Sequence, residues 1–130
     1  MNLKKARTIA VVGLSSNPNK ASYQVAKYLK ENGYEIFPIN PQETEILGEK
    51  SYPDLLSLPE HVSIDIVNIF RRPEVVAAVV DQAIQKGAKM IWMQEGIVNE
   101  EAKEKALKFG LEVIMDSCIM KVHQSQFRRD

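Results

Sequence analysis

The chain holds a single cysteine, Cys118, among 130 residues. That scarcity excludes an internal disulfide and any metal site built on paired cysteines, and it suits a reducing compartment. Net charge is missing too: 17 Lys and Arg balance 17 Asp and Glu. With no global field to draw in nucleic acid or an anionic membrane, any basic patch must be local. Long hydrophobic runs are also lacking. The N-terminus "MNLKKARTIAVVG" reaches Gly13 before anything like a secretory apolar region accumulates. No internal repeat or low-complexity stretch is visible. These absences predict a soluble cytoplasmic protein with no metal, nucleic-acid or membrane partner. The length predicts one domain, 1–130, with no room for a second catalytic one.

What the chain does have is five strand-length apolar, β-branched stretches, at 8–13, 35–40, 64–70, 89–94 and 112–116. Each is nearly continuous in hydrophobicity, the condition of a strand buried on both faces in a parallel sheet. Three helices with legible ends lie between them. The first runs from Ser22 as N-cap, with Val25, Ala26 and Leu29 on one face, to Gly33 as its C′ residue. The second begins at Pro73, turns Val76, Val79, Val80, Ala83 and Ile84 inward, and stops at Gly87. The third starts at Asn99, places Glu100 and Glu101 in the first turn, and ends at Gly110. Segment 41–62 holds too many prolines for one long helix and predicts a loop with a short helix near 53–57. Alternation of strand and helix gives a Rossmann-like, doubly wound α/β fold: a five-stranded parallel sheet with helices on both faces.

Ligands of such sheets sit beyond the carboxyl ends of the strands, so the five turns there matter most. After the first strand, "GLSSNPNKASY" places Gly13 at the tight turn, then Ser15, Ser16, Lys20, Ser22 and Tyr23 ahead of and into a helix. Hydroxyls, backbone N–H groups and one ammonium at a helix N-terminus suit a phosphate. A polar βα loop without a ligand remains open as the plainer alternative. The turn lacks the second and third glycines of a dinucleotide fingerprint, and the second strand ends in Pro38-Ile39-Asn40-Pro41 with no acid to hold a ribose. Both features argue against NAD.

After the third strand, Phe70-Arg71-Arg72-Pro73 sets two guanidiniums at a helix start, where the dipole disfavours them unless an anion lies between. The fourth strand leads to Gln94-Glu95-Gly96, an amide side chain beside a glycine that permits close approach. Asn99 reads better as a helix cap than as a ligand. The fifth strand leads to Asp116-Ser117-Cys118, whose thiol reads as a small buried hydrophobe or as a group near the ligand. A nucleophile elbow at Gly13-Leu14-Ser15 lacks its second glycine. A Ser15, Asp116, His123 triad would leave His123 in a polar tail with nothing to fix its ring, and His61 reads as a surface loop residue.

Taken together, Gly13-Leu14-Ser15, Ser22-Tyr23, Val25-Ala26, Pro38, Asn40-Pro41, Ile46-Leu47-Gly48, Phe70-Arg71-Arg72, Trp92-Met93-Gln94, Gly96, Met115-Asp116 and Cys118 resemble the small stand-alone CoA-binding proteins over residues 7–123. The chain is similar as well to the CoA-binding domain of the succinate–CoA ligase α subunit. That ligase's phosphorylated histidine lies in a further domain, so its reaction is not carried over. The resemblance implies coenzyme A or an acyl-CoA across the carboxyl edge. Its phosphates would meet Gly13, Ser15, Lys20, Ser22, Arg71 and Arg72, with Asn40 and Pro41 flanking the nucleotide and Gln94 and Gly96 along its path. Ser16, Tyr23, Phe70 and Cys118 complete the expected site. The function so implied is non-catalytic binding of CoA. The alternatives are an acyl-CoA transferase or hydrolase using Cys118 or Ser15, and a mixed disulfide between Cys118 and CoA. Apolar helix faces permit a homodimer without requiring one.

Overall fold

A computed structural model describes residues 2–127. The main sheet is built from β1 (Thr8–Val12), β2 (Glu35–Ile39), β5 (Ile66–Ile69), β6 (Met90–Met93) and β7 (Glu112–Ile114). It is wholly parallel, in the order β2-β1-β5-β6-β7. A small hairpin, β3 (Glu45–Ile46) and β4 (Glu49–Lys50), follows β2. Its two central residues, Leu47 and Gly48, have φ of +56° and +76°, the backbone of the hairpin turns that match strand twist. Lys30 Nζ donates to Leu47 O at 2.6 Å and pairs with Glu49 at 3.0 Å, tying the hairpin to the first helix. Beyond it Tyr52 makes a single parallel bridge to Ile39. That bridge stands where strand three would lie in a six-stranded 3-2-1-4-5-6 order.

The strand pattern has its expected cause. In β1, Ile9 and Val11 belong to one apolar cluster and Ala10 and Val12 to the other, and all four are buried. α1 (Ala21–Glu31) and α4 (Ile119–Gln126) cover the Ile9/Val11 face; α2 (Pro73–Lys86) and α3 (Glu100–Lys108) cover the opposite one. Pro73 opens α2 and Gly87 closes it in the left-handed conformation, φ +82°. Asn99 caps α3 by accepting from Ala102 N, and its Nδ2 donates to Pro73 O at 3.0 Å, a structural role on both counts. A 3-10 turn, Leu55–Ser57, realises the short helix expected near 53–57, with Asp54 accepting from Ser57 N.

Two expectations need correction. The N-cap of α1 is Lys20, without a side-chain cap; Ser22 lies inside the helix, buried, and its hydroxyl accepts from Ser15 N instead. The segment around His123 is α4 rather than a polar tail, because Ile119, Val122 and His123 share the helix face that packs onto the α1 side.

The opposite end of the sheet is tied by Asp65. It accepts from Arg7 N at 2.7 Å and Thr8 N at 3.3 Å and lies 3.5 Å from Lys89. Partial burial pushes its carboxyl up, but the two backbone donors and the lysine outweigh that, and the net shift is downward. No helix among the described residues is long and apolar enough to cross a membrane.

Candidate functional site

The strand order reverses direction between β1 and β5, so the crevice of this sheet opens where Val12 and Ile69 end. Gly13 stands in it at φ +88°. A Cβ there would lie 2.6 Å from Phe70 O and 2.9 Å from Arg71 Cδ. Only glycine lets the chain turn this close to the β5 tip. Phe70 N in turn donates to Val12 O, locking the two tips together.

The loop that follows satisfies many of its own donors. Ser22 Oγ accepts from Ser15 N, Ser15 Oγ from Asn17 N, and Asn17 Oδ1 from Asn19 N. The expectation that the loop's backbone N–H groups are free for a phosphate is therefore corrected at Ser15, Asn17 and Asn19: hydroxyls and an amide side chain shape the loop by accepting from it. A hydroxyl that accepts keeps its proton to donate, and Ser15 remains half-exposed. Ser16 donates to Glu43 Oε1 at 2.8 Å, so a carboxylate does stand beside this loop, four residues past the end of β2. Lys20 is exposed at the helix entrance, and Tyr23 packs half-buried against the α1-side core. Asn40 Nδ2 donates to Leu14 O and its Oδ1 accepts from Gln42 N, so it braces the first loop from the β2 tip.

Two cavities flank the switch point, one on each face of the sheet. The first, about 230 Å³, lies on the α2 face among Val12, Ile39, Pro41, Leu55, Val75 and Val79. The second, about 510 Å³, lies on the α1 face among Val25, Phe70, Gln94, Ile97, Cys118 and Met120. Arg71 lines both. Arg71 thus stands between two largely apolar hollows, with its Cδ beside the glycine turn. Arg72 lines only the second; it is the exposed N-cap of α2, 3.9 Å from Glu74.

Farther along the edge, Gln94 is buried and its Oε1 accepts from Ile119 N, holding the start of α4 to the β6 tip. Gly96 donates from its backbone N to Asp116 Oδ1 at 2.7 Å. Cys118 is the buried N-cap of α4 and lines both the second cavity and a third of about 490 Å³. Lys121, 2.8 Å from Glu95, borders the same two, and that carboxylate raises the lysine's pKa. The structure therefore gathers Gly13, Phe70, Arg71, Arg72, Gln94 and Cys118 along one groove, with Pro41 in the smaller hollow. Ser22 and Asn40 are spent on holding the loop.

Sequence reading missed Val75, Val79 and Leu55 as cavity wall, and Met120 and Lys121 as lining of the larger hollow.

The triad does not assemble. His123 lines a cleft with Arg7, Gly33 and Glu35, at the amino ends of β1 and β2 and so opposite Ser15. Its Nδ1 shares a 2.6 Å hydrogen bond with the Tyr28 hydroxyl, and its ring stacks on Phe127 at 4.2 Å and meets Tyr34 edge-on. Burial pushes the imidazole pKa down and the Tyr28 and Tyr34 phenols up. His61 is exposed in a turn, as expected.

With this geometry in hand, the decisive comparison is with known families: the CoA binding domain family matches residues 7–124. The chain belongs to the CoA-binding domain family. The uncharacterised protein YneT of Bacillus subtilis is 42% identical over 121 residues, 93% of this chain and 88% of that one. The α subunit of the ADP-forming acetate–CoA ligase II of Pyrococcus furiosus is 33% identical over 124 residues, 87% of this chain. This CoA-binding domain spans only 27% of that subunit's length. A hypothetical protein of Pyrococcus horikoshii has a solved structure that superposes with a TM-score of 0.90 at 39% identity, covering 94% of this chain and 84% of that one.

Proposed function

We propose that this chain is a single cytoplasmic domain that binds coenzyme A, free or as a thioester, along the carboxyl edge of its sheet, and catalyses no reaction on it. The observation that carries the reading is Arg71, set between two apolar hollows against a turn that only glycine can make. CoA is two apolar-leaning ends joined by phosphates. The adenine fits the smaller hollow beside Pro41 and Leu55; the pantetheine arm fits the larger one beside Val25, Phe70 and Gln94. The phosphates then lie between, near Arg71, the Ser15 hydroxyl, Lys20 and the entrance of α1, where charge-assisted donors and the helix dipole favour an anion. Gly96 and Ser16 stand at the rim.

Binding without chemistry is favoured over thioester transfer or hydrolysis by the place of His123. The imidazole that Ser15 or Cys118 would need as a base lies at the far end of the sheet, held by Tyr28 and Phe127. The test is denaturation with and without ligand. CoA at 100 times its dissociation constant should add about 2.7 kcal/mol of stability. Dephospho-CoA should add less, and NAD nothing. No stabilisation by CoA ends the reading, whereas thioester turnover that vanishes in Cys118→Ala or Ser15→Ala replaces it with the enzymatic one.

A further inference from the structure

Resting on the CoA reading, we infer that the end of the groove over β7, bounded by Glu95, Asp116 and Lys121, receives the acyl group of a CoA thioester. This subsite admits short neutral acyl groups and rejects those that end in a carboxylate.

Reach comes first. Neighbouring strands lie about 4.8 Å apart, so the three steps from β1 through β5 and β6 to β7 cover roughly 14 Å. An extended chain advances about 3.5 Å for every three bonds, and the pantetheine arm has about a dozen bonds between its phosphate oxygen and its sulfur, again roughly 14 Å. Phosphates beside Gly13 and Arg71 therefore deliver the sulfur above the β7 tip. Anything esterified to it projects past Cys118 into the 490 Å³ hollow lined by Glu95, Asp116, Ser117, Lys121, Val122 and Ser125.

Charge decides what fits there. Lys121 is already paired with Glu95 at 2.8 Å, which leaves Asp116 as the unbalanced charge among these three. Asp116 is held in place by an unusual backbone. It lies at φ +54°, one of two non-glycine residues with positive φ among those described, and its Oδ1 accepts from Gly96 N at 2.7 Å. Asp tolerates that conformation better than most residues. An incoming carboxylate would meet net repulsion, while an acetyl to butyryl group would meet Val122, the lysine stem and two serine hydroxyls.

Isothermal titration of the full chain at low ionic strength tests this, with CoA, butyryl-CoA and succinyl-CoA as ligands. Butyryl-CoA should bind about tenfold more tightly than succinyl-CoA, the factor expected for one like charge near 6 Å at a partly exposed site, and the ratio should shrink as salt is added. Asp116→Asn keeps the oxygen that accepts from Gly96 N and removes only the unbalanced charge, so the ratio should fall to about two or below. Equal affinities in the wild-type chain that binds CoA overturn the inference alone, as does a tenfold ratio that survives in Asp116→Asn. Failure of CoA itself to bind overturns the underlying reading and this inference with it.

Discussion

The two ends of the sheet carry cavities of opposite character. At the amino end a cleft of about 880 Å³, larger than either hollow beside Arg71, runs among Lys4, Lys5, Arg7, Tyr34, His123 and Phe127. Several of its polar groups hold the protein together: Tyr34 donates to Leu3 O, Tyr28 bonds His123, and Lys4 lies over the Phe127 ring. At the carboxyl end the hollows are smaller, but Arg71 lines both, Gln94 lines the larger, and the Gly13 turn packs against Phe70 and Arg71 beside them. Size alone would choose the amino end. The proposed CoA site follows instead the crevice where strand order reverses.

Glycines at the two ends break the comparison most sharply. Gly13→Val combines a positive φ that β-branched residues avoid with a Cβ 2.6 Å from Phe70 O. It should cost about 3 kcal/mol in urea denaturation and abolish CoA binding. Gly33→Ala at the amino end has the same kind of φ, +93°, with nothing within 4 Å of its Cβ. It should cost only about 1–2 kcal/mol and leave CoA affinity unchanged. Equal effects at the two positions would mean that the close approach at Gly13 carries no function.

Arginines give the next contrast. Arg71→Ala removes a charge-assisted contact to phosphate and should weaken CoA binding about 10- to 100-fold with little change in stability. Arg7→Ala should change affinity by less than twofold, as a surface substitution far from the ligand. Calorimetric titration of both variants separates the outcomes.

The histidine supplies a pH prediction on the amino end. Burial lowers the His123 pKa below 6.5, so the unfolded chain takes up its proton before the folded one does. The stability it confers is complete above that value and falls as pH drops through it. His123→Phe should flatten the fall below pH 6.5, measured by chemical denaturation at each pH; an unchanged slope would show that the ring is not the titrating group. The fall on going below pH 3.8 should remain, because the lowered carboxyl of Asp65 then takes its proton in the unfolded chain first.

The smallest expected effect is Glu95→Gln. Its ion pair with Lys121 is exposed, so stability should shift by no more than about 1 kcal/mol.

Much of this was legible because the signals were local. Five apolar runs gave the five sheet strands; Pro73, Gly87 and Asn99 gave helix ends by backbone chemistry that needs no partner. What was illegible depends on distant contacts. The helix α4 is held by His123 against Tyr28, 95 positions earlier, and by Ile119 N against Gln94. Ser22 looked like a cap because its hydroxyl is of the capping type, but the loop brings Ser15 N to it first. The hairpin turn at Leu47-Gly48 hid because leucine rarely takes φ +56°. Val79 was read as core and Val75 was not singled out; both lie in the first two turns of α2, where they become cavity wall.

The most direct test of the central claim is an amide chemical-shift map of the protein titrated with CoA. Shifts concentrated at Gly13 to Ser16, Arg71, Arg72 and Gln94 to Gly96, with Lys4 to Arg7 and Gly33 to Glu35 unmoved, are what the account predicts. Shifts centred on the large cleft beside His123 would contradict it.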